Sequence, residues 1–112
     1  MSQHMRSDVL GRLEAIIAER ATAADGDKSY TARLLASGTE KCARKFGEES
    51  IELILAAVEK NPEHLTAEAA DVIFHLLVVL RAGGVSLDAV MQELESRFRQ
   101  SGLVEKASRN KG

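Results

Sequence analysis

The chain has 112 residues, 45% of them hydrophobic and 29% charged, with a net charge of −2. That length fits one domain with a core of its own, and that balance belongs to a globular chain, not a disordered one. The small negative charge excludes a general pull toward nucleic acid or an anionic membrane, so any site for an anionic ligand must be local.

Residues 1–7 are polar and unpatterned and read as a disordered N-terminus. From residue 8 to about 20, Val9, Leu10, Leu13, Ile16 and Ile17 recur at helical spacing and predict an amphipathic first helix. Residues 22–28, with Gly26 between two aspartates, read as a loop. Ser29 is placed to cap a short helix through Leu35, which Ser37-Gly38 breaks. Ser37 and Glu40 then stand three apart, as in a capping box, at the start of a long helix running to about Lys60. Asn61-Pro62 ends it, because proline disfavours helical geometry in the residue before it. The next helix begins at Glu63 or Thr66 and stops after Ala82, at Gly83-Gly84. Ser86 is the N-cap of the last helix, with Asp88 in its first turn and Leu87, Val90, Met91, Leu94 and Phe98 as its stripe. Lys106, Arg109 and Lys111 mark residues 101–112 as a basic C-terminal tail.

No strand pattern, internal repeat or low-complexity segment competes with this reading. The expected fold is all-α, one domain over residues 8–100, a bundle of four main helices plus a short one. The stretch 72–80 is apolar nearly all round and needs cover on every side. A chain this small has few helices to supply that cover, so a homodimer that completes the bundle is expected.

The lone Cys42 has no disulfide partner and no ligand partner at metal-site spacing, which points to a reducing compartment and a packing role. No basic leader with an apolar run and cleavage site opens the chain. The apolar run at 72–80, interrupted by His75, falls short of the roughly 20 residues a membrane span needs. A cytoplasmic protein with no membrane partner is expected.

Two acidic clusters carry the chemistry. Glu48, Glu49 and Glu52 lie on adjoining parts of one helical face, and Glu68 and Asp71 stand one turn apart on the next helix. On a helical wheel Lys41, Lys45, Glu48, Glu52 and Glu59 share a stripe with Glu49 at one side, and Ile51, Ile54, Leu55 and Val58 lie on the opposite side from Glu49. Glu68, Asp71 and His75 share one face of the following helix. Exposed like charges one turn apart cost only a few tenths of a kcal/mol, so a solvated acidic face is one reading. Asp71 favours the other: it opens an otherwise apolar run, and a carboxylate drawn into such a setting needs a cation or donors. Hard divalent cations prefer oxygen, and Mg²⁺ commonly combines a few carboxylates with waters and substrate phosphates. His75 stands open as a ligand, as a partner of Asp71, or as a core histidine with a satisfied hydrogen bond, although an imidazole is not the expected Mg²⁺ ligand. His4 and His64 read as surface residues.

Glu49-x-x-Glu52, fifteen intervening residues and Glu68-x-x-Asp71 resemble the EXXE–EXXD signature of the all-α nucleoside triphosphate pyrophosphatases, which include dimeric dUTPases and MazG-like enzymes. Lys28-Ser-Tyr-Thr, Lys45-Phe-Gly-Glu-Glu-Ser-Ile-Glu52, the run from Glu68 to Leu80, and Glu105-Lys-Ala-Ser-Arg109 resemble, more closely, the phosphoribosyl-ATP pyrophosphatase family, over about residues 10–109. The resemblance implies Mg²⁺-dependent hydrolysis of phosphoribosyl-ATP to phosphoribosyl-AMP and pyrophosphate, the second step of histidine biosynthesis. It also implies the stand-alone form, without the cyclohydrolase domain some relatives carry.

By the same resemblance Glu49, Glu52, Glu68 and Asp71 are the expected metal ligands, and Glu48 is a fifth carboxylate, metal-bound or general base. Lys45 and, more weakly, Lys41 are placed to steady a phosphate, although for Lys45 an ion pair with Glu48 or Glu49 fits the spacing equally. Ser29, Tyr30, Thr31 and Arg33 are substrate-contact candidates, and Lys106 and Arg109 are candidates to close over the phosphoribosyl end. Two rival readings are a house-cleaning nucleoside triphosphate pyrophosphatase with the same metal site, and a non-enzymatic helical oligomerisation module with an acidic surface.

Overall fold

A computed structural model describes residues 3–22 and 29–111, with side chains described over 9–22 and 29–99. The described residues form five helices and no strand: α1 (Gln3–Thr22), α2 (Tyr30–Ala36), α3 (Thr39–Glu59), α4 (Pro62–Ala82) and α5 (Leu87–Lys111). The all-α expectation holds. The backbone of α1 begins before residue 8 and that of α5 continues past residue 100, so both helices reach into segments read as a disordered N-terminus and a basic tail.

Local chemistry sets most boundaries. Ser29 caps α2, its Oγ accepting the Ala32 N–H at 2.9 Å. Asn61 caps α4 by accepting the His64 N–H at 3.1 Å, and Pro62 follows at the position where a missing N–H costs nothing. Ser86 accepts the Ala89 N–H at 3.0 Å at the head of α5. A second acceptor there comes from α1: Glu14 Oε2 takes the Leu87 N–H at 2.7 Å, which ties the first helix to the last.

The capping box expected from Ser37 and Glu40 does not form. Gly38, with φ +101°, is the residue before α3 and makes no side-chain cap. Ser37 Oγ instead donates to the Leu34 carbonyl at 2.6 Å and closes α2. The positive φ at Gly38 lets two helices meet across only Ser37 and Gly38, a conformation costly for any residue with a Cβ.

α3 and α4 form an antiparallel hairpin, and α1 and α2 pack against it. The core consists of Ile17 from α1, Leu34 from α2, Cys42 from α3, and Leu77 and Val78 from α4. Cys42 is fully buried, its Sγ 3.2 Å from the Leu34 carbonyl, as its packing role requires. α5 leaves α4 at 108°, and Met91, Leu94 and Phe98 on its apolar stripe stay exposed. No single helix among the described residues is long and apolar enough to cross a membrane.

One expectation shifts. The stretch 72–80 is largely covered within the chain, with only Ile73 and Leu76 exposed. The uncovered apolar face lies mainly on α3, where Ile51, Ile54, Leu55 and Val58 are 50% to 72% exposed.

Candidate metal centre

The antiparallel α3–α4 hairpin brings Glu49 level with Glu68 and Asp71. Carboxylate oxygens of these three lie within 4.8 Å of one another. The Glu49 and Glu68 side chains are only 18% and 16% exposed, whereas Asp71 is exposed. The burial expected of Asp71 thus falls on its two neighbours, because Asp71 lies at the rim of the hairpin while they point into it.

Glu68 is the informative member. Its Oε1 lies 3.4 Å from His64 Nε2, and its Oε2 is buried with no hydrogen-bond partner. Leaving a buried acceptor unpaired costs about 1–3 kcal/mol, and more for a charged group. Ionised carboxylates 4.8 Å apart also repel by roughly 3 kcal/mol per pair at an effective dielectric of about 20. An orphaned oxygen beside two further carboxylates is an all-oxygen donor set, which is what a hard divalent cation takes. These residues fit such an ion.

Glu52, one turn beyond Glu49, is exposed and lies outside the group of three. Glu48 is 58% exposed and faces Lys45, whose Nζ lies 3.5 Å from Glu48 Oε1 and 3.6 Å from Glu49 Oε1. Tyr30 above all, with Glu48 and Glu49 after it, raises the Lys45 ammonium above its ordinary pKa, and desolvation, second in size, opposes them. Lys45 therefore stays charged and placed between carboxylates and solvent.

His64 is not the plain surface residue its neighbours in sequence suggested. Its Nδ1 lies 3.2 Å from Glu59 Oε2 as its Nε2 meets Glu68, so one imidazole bridges the end of α3 and the start of α4. These carboxylates, Glu59 first, raise its pKa from 6.5, partly opposed by desolvation. The signal was the four-residue spacing from His64 to Glu68, the same periodicity that singled out the acidic clusters.

His75 is buried, and its ring does not reach the Asp71 carboxylate. Nδ1 lies 2.8 Å from the Asp71 main-chain carbonyl, and Nε2 lies 3.2 Å from the Tyr30 hydroxyl. Tyr30 forms, with Leu34, Lys41, Arg44, Lys45 and Glu48, a cavity of about 310 Å³ on the flank of the carboxylates. Three of those side chains are cationic and one is anionic. Of the other substrate-contact candidates, Thr31 is buried, Ser29 Oγ is taken up by its cap, and Arg33 is exposed on α2. Lys28 lies outside the described residues, and Lys106 and Arg109 lie outside the described side chains.

An all-α chain that sets carboxylates from two antiparallel helices beside a cationic cavity has the architecture of the all-α nucleoside triphosphate pyrophosphatases. Residues 10–98 match the family described as phosphoribosyl-ATP pyrophosphohydrolase. The chain is 58% identical over 101 residues to a phosphoribosyl-ATP pyrophosphatase of Dinoroseobacter shibae, covering 90% of this chain and 98% of that one. It is 50% identical over 107 residues to the protein of that name from Methylobacterium nodulans, covering 96% and 99%. The corresponding Rhizobium johnstonii protein is 54% identical over 100 residues, covering 89% and 92%. The chain belongs to the phosphoribosyl-ATP pyrophosphohydrolase family, and so is a hydrolase of the pyrophosphate bond.

Proposed function

We propose that this chain hydrolyses phosphoribosyl-ATP to phosphoribosyl-AMP and pyrophosphate in histidine biosynthesis, with Mg²⁺ held by the carboxylates of α3 and α4. The family match over residues 10–98 supports the reaction. The single observation that supports the metal is the buried, unpartnered Oε2 of Glu68 within 4.8 Å reach of Glu49 and Asp71.

Glu49, Glu68 and Asp71 would hold the ion, with Glu52 joining them as the family signature implies. Bound there, Mg²⁺ supplies neutralisation of phosphate charge and a lowered pKa for an attacking water. Lys45, charged and adjacent to Glu48 and Glu49, steadies the triphosphate. Glu48 is the candidate base that takes the proton from water as its oxygen attacks the α-phosphorus and the α–β anhydride bond breaks. Tyr30 and Lys41, on the wall of the adjoining cavity, contact the substrate. Lys106 and Arg109 remain candidates to close over its phosphoribosyl end.

The active unit is a homodimer. Ile51, Ile54, Leu55 and Val58 recur at i, i+3, i+4 and i+7 along α3 and are all more than half-exposed or at half exposure. A contiguous apolar stripe of this size on a soluble helical chain is characteristic of an interface. A cytoplasmic location belongs to the same proposal and is supported by a single, unpaired cysteine.

Pyrophosphate release from phosphoribosyl-ATP, compared with ATP and dUTP and with and without Mg²⁺, tests the reading. Mg²⁺-dependent release confined to phosphoribosyl-ATP supports it. Release mainly from ATP or dUTP would move the chain to the house-cleaning enzymes, and release from none would leave only a helical module.

A further inference from the structure

His75 has no part in the chemistry above, yet it is buried at 5% exposure and hydrogen-bonded at both nitrogens. One partner decides which nitrogen is the donor. The Asp71 main-chain carbonyl only accepts, so the ring nitrogen 2.8 Å away carries the proton. The neutral ring then has a bare Nε2, which accepts from the Tyr30 hydroxyl at 3.2 Å. Tyr30 is held at its polar tip by a buried group while 45% of its surface stays open. Its ring is steadied from the side by Phe74, 6.5 Å away between centroids, and Phe74 meets the His75 ring edge-on at 5.0 Å. The phenol is therefore set as one wall of the cavity that it shares with Lys41 and Lys45.

We propose that His75 is a positioning residue: it ties the Tyr30 hydroxyl to the metal-bearing turn of α4 and so fixes the phenol as a wall of a phosphate-binding cavity with Lys41 and Lys45. The inference rests on the pyrophosphohydrolase reading and adds to it the group that orders the substrate's anionic end. With its one proton donated to the His75 Nε2, the Tyr30 oxygen faces the cavity as an acceptor for the neighbouring ammonium groups, and those cations in turn attract phosphate oxygens. An imidazole that merely filled the core would set stability alone. One that aims Tyr30 sets substrate affinity as well.

Two substitutions separate the ends of this link. His75→Asn keeps a donor for the Asp71 carbonyl and loses the reach to Tyr30, while His75→Gln keeps an acceptor at the position of Nε2. Tyr30→Phe removes only the hydroxyl at a part-exposed site, so folding is not at risk. Tyr30→Phe and His75→Asn should each raise KM for phosphoribosyl-ATP about three- to tenfold, the worth of one hydrogen bond, with kcat within about twofold. His75→Gln should restore KM, and the double variant should be no worse than either single one. Unchanged KM in both single variants, or defects that multiply in the double, would overturn the proposal.

A second readout needs neither turnover nor metal. Tyr30 is the only tyrosine and the chain has no tryptophan, so its ultraviolet emission reports on this cavity alone. Inorganic pyrophosphate added to the metal-free wild-type protein should change that emission saturably, with an affinity weakened about three- to tenfold in His75→Asn. No response in the wild type, or equal affinity in both, refutes the link. If phosphoribosyl-ATP is not hydrolysed by the wild type, the proposed function fails while this titration still decides the role of His75.

Discussion

His64 meets one oxygen of Glu68 and leaves the other buried and unpartnered beside Glu49 and Asp71. The imidazole sits 3.4 Å from Oε1 and 3.2 Å from Glu59 on its other side, while Oε2 is buried without a partner. Anchoring a carboxylate by one oxygen orients the second, and partners of this kind commonly tune metal affinity by 10- to 100-fold. His64→Ala should therefore weaken Mn²⁺ or Mg²⁺ binding about tenfold, measured by calorimetry, with a far smaller effect on the fold. Affinity equal to wild type would leave His64 as a surface pair only.

The same pair makes stability depend on pH in metal-free buffer. The folded-state pKa of His64 is raised above 6.5 by Glu59 and then Glu68. A raised basic group stabilises the fold fully below its unfolded pKa and loses that contribution as pH climbs through the folded value. The melting temperature of wild type relative to His64→Gln should be highest below pH 6.5 and should shrink as pH rises above 6.5 through the raised folded-state value. A difference that grows with pH over that window would contradict the assigned pairing.

Glu68→Gln separates a metal site from an acidic surface. In metal-free protein the change removes a charge from a crowded cluster, so stability should hold or rise. With Mg²⁺ present, wild type should gain melting temperature through binding to the folded state, and the variant should lose that gain. Turnover should fall roughly 100- to 1,000-fold, the scale for one preorganised electrostatic group. Glu52→Gln is the companion measurement: Glu52 stands outside the three-carboxylate group, and near-normal turnover at saturating Mg²⁺ would remove it from the ligand set.

The limits of the linear reading follow from which contacts are local. Helix ends written in a few residues were legible: Ser29, Asn61-Pro62 and Ser86 each act as their chemistry dictates. Ser37–Glu40 carried the same kind of signal and failed, because the left-handed turn at Gly38 and the Leu34 carbonyl compete for the same serine. The acidic pattern pointed to the two helices whose carboxylates the fold brings together. It could not say which carboxylates meet, since that depends on how the α3–α4 hairpin is rotated, and rotation buries Glu49 and Glu68 while leaving Glu52 and Asp71 exposed. The contacts of Glu14 with Leu87 and of Tyr30 with His75 cross long stretches of chain, and spacing holds no trace of them.

The apolar stripe on α3 carries the last prediction. Its members lie on the side of the helix wheel away from Glu49, so an interface there leaves the Glu49, Glu68 and Asp71 group free. Val58, the most exposed at 72%, touches little within its own chain, and a charge placed there costs the monomer little. In an apolar interface the same charge would be desolvated, once from each subunit. Wild type should sediment at twice the monomer mass and Val58→Glu as a monomer of unchanged helix content, measured by sedimentation equilibrium and circular dichroism. A variant that keeps twice the monomer mass would place the interface elsewhere, with the exposed Met91, Leu94 and Phe98 of α5 the next surface to test.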